Sequence, residues 1–174
     1  MKLGRKVVIV GCDGGTWQVL KPLAEGGRLP NFAEVLRAGR WGVLRSTFPP
    51  MSSAAWVSII TGRNPGWHGI FGFREVDLRS YSIYTGRIVS SQSYSLRTIF
   101  ELASAAGLKV ASISVPMTYP PRPVNGLMIG GYPEGLPERA VYPPGAVEGP
   151  ERFFWPADTH RMPPRKLRQA ADHC

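Results

Sequence analysis

The sequence predicts an α/β fold in which a mostly parallel sheet is flanked by helices. Two short, β-branched apolar runs, KVVIVG at 6–11 and LKVASISV at 108–115, are typical of strands buried on both faces of a sheet. Segments with apolar residues at helical spacing alternate with these runs. Strands that alternate with helices predict parallel pairing through right-handed crossovers.

The first half of the chain predicts three helices and two strands. After the 6–11 strand, Thr16 is placed to cap a short helix, and Pro30 suits the first turn of a second helix that Gly39 ends. Trp41 to Leu44 is predicted as the second strand. A third helix starts at Ser52 or Ser53, and its apolar residues repeat at helical spacing until Gly62 and Pro65.

The second half is less regular. Tyr81, Ile83 and Ile88 around Thr85-Gly86 suggest a small hairpin or insertion. Ser95 is predicted to cap a helix that runs through Ala106, before the 108–115 strand. Leu127 to Ile129 adds a short strand, and no regular element is predicted after Pro133.

Composition limits the class of protein. A chain of 174 residues fits one domain, which we place at 1–150, followed by a basic, Pro/Arg-rich tail at 151–174 that we expect to be disordered. The net charge of +9 favours phosphates or other anions. Nucleic acid is an unfavoured partner, because no basic stripe with interleaved aromatic residues is present. Two cysteines fit a cytoplasmic protein, and no apolar run approaches the ~20 residues that span a membrane.

Ser52 and Ser53 form the first candidate site. A hydroxyl at a helix start lies beside free N–H groups and the positive end of the helix dipole, which suits a phosphoryl group or an activated serine nucleophile. The alternative is that one of these serines is only an N-cap.

Asp13 follows the first predicted strand, within the turn Cys12-Asp13-Gly14-Gly15. A carboxylate at this end of a parallel strand is well placed to bind a metal ion, although a turn-forming aspartate explains it equally well. If both predictions hold, Asp13 and Ser52 meet at one edge of the sheet. For His68, a structural role is favoured over metal binding.

With these residues assembled, the chain resembles the type I phosphodiesterase/nucleotide pyrophosphatase family of the alkaline phosphatase superfamily. The resemblance rests on VVIVGCDGGTW at 7–17, on LPNFAEVLRAGRWGVLRSTFPPMSSAAWVSIITGRNPGWHGIFGF at 29–73, and on VPMTYPPRPVNG at 115–126. It covers about residues 6 to 145 and implies an alkaline-phosphatase-like fold, incomplete in this chain.

The resemblance also implies a chemistry. It implies hydrolysis of a phosphodiester or pyrophosphate in a phosphorylated small molecule, at a centre of two divalent ions, zinc first and manganese or magnesium as alternatives. Asp13 would bind one ion, and Ser52 would be the nucleophile and a metal ligand. Ser53 would contact the substrate, or act as nucleophile if the register slips by one.

Two departures from the family pattern change the expectation. Ala55 stands where some nucleotide pyrophosphatases have an asparagine that binds the phosphoryl oxygens. The remaining metal ligands of the family also lack counterparts, since the other aspartates and histidines outside the matching motifs are Asp77, Asp158, His160, Asp172 and His173. We therefore expect a truncated chain that is inactive by itself and prone to self-association through an incomplete sheet. The alternatives are a catalytically inert fragment and a basic nucleic-acid-binding module.

Overall fold

The computed structural model describes residues 6–77, 79–80, 82, 86–133 and 135–154. The α-helices are α1 (Trp17–Glu25), α2 (Pro30–Ala38), α3 (Ser52–Thr61), α4 (Pro65–His68) and α5 (Ile99–Ala105). The strands are β1 (Val110–Val115), β2 (Gly126–Gly130) and β3 (Val141–Tyr142). Short 3-10 turns occupy Ser91–Ser93, Pro137–Arg139 and Pro150–Phe153.

The three strands form one sheet in the order β1-β2-β3. β1 and β2 pair in parallel, with Val110 opposite Gly126, while β2 and β3 pair antiparallel. The register shifts between Ile113 and Val115, where Ser114 takes a positive φ of 52° and forms a bulge. The α/β class is confirmed and the mostly parallel sheet is confirmed only in part. The two-residue strand β3 was missed because so short an element carries no periodicity.

The prediction of strands at 6–11 and 41–44 is wrong, because the structure has no strand in either segment. Neither segment pairs with another described strand. The side chains of Val7 to Val10 are 72–84% exposed, and those of Val43 and Leu44 are 82% and 85% exposed. A β-branched apolar run favours a strand only when neighbours pair with its backbone and cover both its faces, and the described residues supply no such neighbours.

The helix starts show which sequence signals were reliable. Thr16 caps α1 as predicted, its hydroxyl accepting a hydrogen bond from Gln18 N. The predicted cap at Ser95 is wrong: Thr98 caps α5, because Thr98 and Glu101 form a capping box in which each side chain bonds the other's backbone N–H. Gly62 ends α3 in the left-handed conformation, at φ 67°.

The hydrophobic core is built around α3. Its apolar side chains pack against those of the segments that follow α4 and of the turn after β1; the buried members are Val57, Ile60, Ile70, Val89, Tyr94 and Met117. A separate aromatic contact joins α1 and α2, where the Trp17 ring lies 4.9 Å from Trp41 and 6.3 Å from Phe32.

Arg122 anchors the proline-rich loop between β1 and β2. Its Nη1 donates to the Leu96 carbonyl at 2.9 Å and pairs with Glu101 at 3.2 Å, while Nη2 donates to the carbonyls of Ser91 and Tyr94. The guanidinium also lies 4.6 Å from the centroid of the Tyr94 ring. One side chain thus joins this loop to the segment that precedes α5.

The packing around Arg122 shifts the pKa values of two neighbouring side chains, Tyr94 and Glu101. Burial raises the pKa of Tyr94 to about 12, against the opposing charge of Arg122, so its hydroxyl stays a donor, to the Met117 carbonyl. Burial also acts to raise the pKa of Glu101, but the hydrogen bonds from Thr98 and the charge of Arg122 outweigh it, and the net pKa is lowered.

Part of the predicted hairpin at 74–94 is described. Isolated antiparallel bridges join Arg74 to Ile88 and Asp77 to Ser82. Tyr81, Ile83 and Thr85 lie outside the described residues, as does the predicted tail beyond Phe154. In the part of the chain that is described, no helix combines the length and the apolar character needed to cross a membrane.

Candidate functional site

Asp13 and Ser52 meet, although 39 positions separate them in the chain. The Ser52 hydroxyl donates a hydrogen bond to Asp13 Oδ1 at 3.1 Å. The structure therefore brings together the two side chains that the sequence placed at one site. It does so without the predicted sheet edge, because Asp13 follows no strand here.

Ser52 is not an N-cap. The cap position of α3 belongs to Met51, whose side chain makes no capping hydrogen bond, and Ser52 is the first helical residue. The Ser52 hydroxyl is thus free to bond Asp13. The first N–H groups of a helix have no partner within it. Ser53 and Ala54 are fully buried, so among the first three residues of α3 it is Ser52, which is half-buried, whose N–H group a ligand can approach. Such a helix end favours a negatively charged group.

Ser53 lies beside Ser52 but faces the interior. Its hydroxyl is fully buried and has no hydrogen-bond partner among the described residues. In this structure the Ser53 hydroxyl is therefore out of reach of solvent, and its role toward a substrate stays a prediction.

Asp13 is positioned by a turn and by an aromatic ring. Gly15 N donates to the Cys12 carbonyl at 3.1 Å, and Gly14 takes the positive φ of 66° that this turn requires. Just before the turn, Gly11 packs against the ring of Trp56, one helical turn beyond Ser52. A Cβ at position 11 would lie 2.8 Å from Trp56 Cζ3, and still closer to the adjacent ring carbon. The glycine allows this approach without any shift of the ring, and the contact places the Asp13 turn against α3.

Replacing Gly11 with alanine is expected to separate Asp13 from Ser52. The added methyl group must displace either the Trp56 ring or the turn, because the contact is shorter than real Cβ contacts allow. Since misplacement by about 1 Å costs about a hundredfold in rate, we expect labelling of Ser52 by an activated phosphodiester to slow about a hundredfold. Quantitative mass spectrometry of the labelled peptide measures this rate. The matched control is Gly42→Ala, since a Cβ there meets no atom within 4 Å; equal rates in both variants would contradict the packing argument.

His68 has the structural role predicted for it. Its Nδ1 accepts a hydrogen bond from Ile70 N at 3.1 Å, so the neutral ring carries its proton on Nε2, which lies 2.9 Å from the Ser58 hydroxyl. Burial lowers the pKa of His68 below its ordinary value of 6.5. The ring thus stays neutral and joins α3 to the segment that follows α4.

The lowered pKa of His68 predicts an acid-sensitive fold. The unfolded chain binds a proton at His68 more readily than the folded chain does, so the stabilisation is complete above pH 6.5 and is lost as the pH falls through the folded-state pKa. We expect the free energy of unfolding to fall with decreasing pH below 6.5, with a His68 contribution of at most about 1.4 kcal/mol per pH unit. Urea unfolding across this range measures it. His68→Asn keeps an acceptor for Ile70 N but does not titrate there, and an unchanged pH slope in that variant would contradict the assignment.

The residues described here do not complete a metal centre. Asp13 and Ser52 supply two oxygen ligands, which suit a hard or borderline cation. However, no cluster of three or more histidine, cysteine, aspartate or glutamate side chains occurs within the described ranges. Asp77 instead accepts hydrogen bonds from Arg79 N and the Ser80 hydroxyl. Asp158, His160, Asp172 and His173 lie outside the described residues.

The α/β fold thus holds a serine hydroxyl against a carboxylate at a helix start. The chain belongs to the type I phosphodiesterase/nucleotide pyrophosphatase family, whose model matches residues 7–170. The match continues beyond the 6–145 range over which the sequence blocks carry the resemblance. This family generally uses divalent metal ions. Searches of curated proteins and of solved structures gave no match.

Proposed function

We propose that this protein hydrolyses a phosphodiester or pyrophosphate bond in a phosphorylated small molecule, with Ser52 as the nucleophile. The observation that carries the proposal is the 3.1 Å hydrogen bond from the Ser52 hydroxyl to Asp13 at the start of α3. A serine is a weak nucleophile unless a neighbouring group activates it, and Asp13 is the carboxylate within reach. Family membership supplies the phosphoester substrate class.

The reaction would proceed in two displacements. In the first, Ser52 Oγ attacks phosphorus and passes its proton to Asp13, while the bond from phosphorus to the leaving oxygen breaks. Asp13 then passes this proton to the leaving oxygen, and the remaining phosphoryl group stays on Ser52. In the second, a water molecule gives one proton to Asp13 as it attacks phosphorus, the bond to Ser52 Oγ breaks, and Asp13 passes the proton to Ser52 Oγ to restore the hydroxyl. The N–H group of Ser52 and the positive end of the α3 dipole would stabilise the charge on the phosphoryl oxygens.

The described residues support only part of the rate enhancement that a phosphohydrolase needs. General-base assistance contributes about 10²–10⁴-fold, whereas enzymes reach about 10⁶-fold and more. We therefore still expect the chain by itself to turn over an activated phosphodiester negligibly, and the first displacement is the step that an experiment can detect. The two divalent ions, with zinc preferred over manganese and magnesium, remain an expectation from the resemblance, and no step above passes through them.

Trapping the phosphoryl-enzyme tests the proposal directly. The full chain would be incubated with bis(p-nitrophenyl) phosphate, quenched in acid and digested. We expect an added p-nitrophenyl phosphoryl group on Ser52, located by peptide fragmentation, and release of up to one p-nitrophenol per chain. An adduct on Ser53 would overturn the nucleophile assignment. An unlabelled chain that nevertheless turns over the diester would overturn the covalent route.

The remaining expectations concern location and partners. The exposed free thiol of Cys12 agrees with a reducing cytoplasm, which cell fractionation would test. Self-association agrees with the exposed apolar run at 7–10, and light scattering over a concentration series would test it. Nucleic acid stays an unfavoured partner, and a gel-shift titration that gave tight binding would contradict that expectation.

A further inference from the structure

An open groove of about 620 Å³ lies beside the C-terminal half of α3. One wall is the segment 45–48 of the loop that precedes the helix. The other wall is formed by Ser58 within the helix and by residues 62–66 after it. Pockets of about 300–1,000 Å³ hold drug-sized molecules, so this groove accommodates a ligand far larger than a simple ion.

The groove carries positive charge that nothing nearby neutralises. Its lining residues include Arg45 and Arg63 and no acidic side chain. Among the described residues neither arginine makes an ion pair, whereas Arg87 and Arg122 each pair with a glutamate. Trp67 holds Arg63 in place, because the guanidinium lies 5.4 Å from the centroid of its ring. Charge complementarity therefore selects a negatively charged ligand.

Ser58 adds a hydroxyl donor that the fold leaves unused. The buried His68 carries its proton on Nε2 and donates it to Ser58 Oγ at 2.9 Å. Ser58 is thus the acceptor in this hydrogen bond, and its own proton has no acceptor among the described residues. A carboxylate only accepts hydrogen bonds, so a hydroxyl and two guanidinium groups in one groove suit carboxylates well.

The main chain of the 45–48 wall is also unpaired. The segment belongs to neither a helix nor a strand, and its N–H and carbonyl groups bond no other described residue. The side chain of Phe48, at the end of the segment, is 90% exposed. Unpaired main-chain groups on an exposed segment are a template for another chain, and hydrogen bonds to them give an added peptide its affinity.

We propose that the groove binds an acidic peptide segment of a partner protein. The carboxylates of the peptide pair with Arg45 and Arg63, its main chain bonds that of the 45–48 segment, and an apolar side chain covers Phe48. Binding at the groove does not depend on reaction at Ser52.

Other occupants match the groove less well. The chain's own segment 155–174 has more basic than acidic residues, and a second copy of a chain with a net charge of +9 is repelled. Nucleic acid is the other polyanion. Tight binding to its phosphates takes a longer array of basic groups than the two arginines of the groove provide.

Selection from a random heptapeptide phage library tests the proposal on the full chain. We expect the enriched peptides to be rich in aspartate and glutamate and to carry an apolar residue. Fluorescence anisotropy of a labelled enriched peptide then measures its dissociation constant. Since a hydrogen bond to a charged group is worth about one factor of ten in affinity or more, R45E/R63E should weaken binding at least about tenfold. The matched control R97E/R139E makes the same charge change at two exposed arginines outside the groove and should bind as the parent does.

A second comparison leaves the protein unaltered. Replacing the acidic residues of the peptide with their amides keeps its shape and should also weaken binding at least about tenfold. A library without enriched peptides, an enriched set without acidic residues, or equal affinities of R45E/R63E and R97E/R139E would overturn the proposal.

Two further results would assign the groove to another occupant and so overturn the acidic peptide. One is a labelled single-stranded oligonucleotide that binds more tightly than the peptide and loses this binding in R45E/R63E. The other is a dimer that light scattering detects in the parent and not in R45E/R63E, which would make a second copy the occupant.

Discussion

Replacing Ser52 with alanine is expected to abolish the release of p-nitrophenol in the first turnover, a loss of at least about a thousandfold. Removing a nucleophile from a covalent route leaves only the catalysis that binding provides, and losses of this size or greater are typical. The variant should fold normally, because Ser52 is only half-buried and its hydroxyl bonds a carboxylate that water can solvate. Rapid-quench measurement of the first turnover, with protein in excess over ester, gives the rate.

Two variants make the comparison specific. Asp13→Asn keeps the shape of the side chain but accepts a proton poorly, so we expect a loss of about 10²–10⁴-fold in the same measurement. Ser95→Ala removes an exposed hydroxyl in the loop before α5 and should leave the rate unchanged. Full activity in Ser52→Ala would exclude the serine as nucleophile, whatever the effect of the aspartate variant.

Replacing Arg122 with alanine is expected to destabilise the fold by about 2–4 kcal/mol. The change leaves the Glu101 carboxylate without its charged partner and three carbonyls, those of Leu96, Ser91 and Tyr94, without the guanidinium donors. The partner side chains are about one-fifth exposed, so solvent recovers only part of the loss. For a chain of this length the melting temperature should fall by about 6–12 °C. Calorimetric or circular dichroism melting measures it.

Arg122→Lys refines this prediction. Lysine keeps the charge but not the planar fork that reaches several carbonyls at once, so its melting temperature should lie between those of the parent and the alanine variant. Arg97→Ala removes an exposed arginine near the same helix and should change stability by about 0.5 kcal/mol or less. An Arg122→Ala protein as stable as Arg97→Ala would show that the loop is held by other contacts.

Local signals in the sequence predicted local structure well. Thr16, Gly39 and Gly62 mark helix ends in the structure, as their backbone and capping preferences indicate. The prediction failed where a signal depends on distant partners. The run at 7–10 has strand composition, yet pairing is a property of two segments, and composition describes only one. The prediction of the α5 N-cap failed for a different reason. Ser95 and Thr98 both have side chains suited to an N-cap, and the reciprocal hydrogen bonds between Thr98 and Glu101 decide between them.

The site was predictable in part. The placement of Ser52 at a helix start follows from the prolines before it and the apolar spacing after it, and the turn at Asp13 follows from its glycines. Their meeting was inferred from a sheet edge that the described structure lacks, and it depends instead on Trp56 packing over Gly11. A contact between a tryptophan and a glycine that are far apart in the chain produces no periodic pattern in the sequence. The only signal in the sequence was a glycine at the close of an apolar run.

The contact between Trp56 and Gly11 has a consequence for the fluorescence of the protein. Of the tryptophans in the described ranges, Trp56 is the one whose ring touches the backbone leading to Asp13. The emission wavelength of an indole ring increases when water reaches the ring. Separation of the 11–13 segment from α3 would therefore shift the fluorescence of Trp56 to longer wavelength. Trp56 is one of five tryptophans in the chain, so its fluorescence reports on the contact between Asp13 and Ser52 once the other four are replaced by phenylalanine.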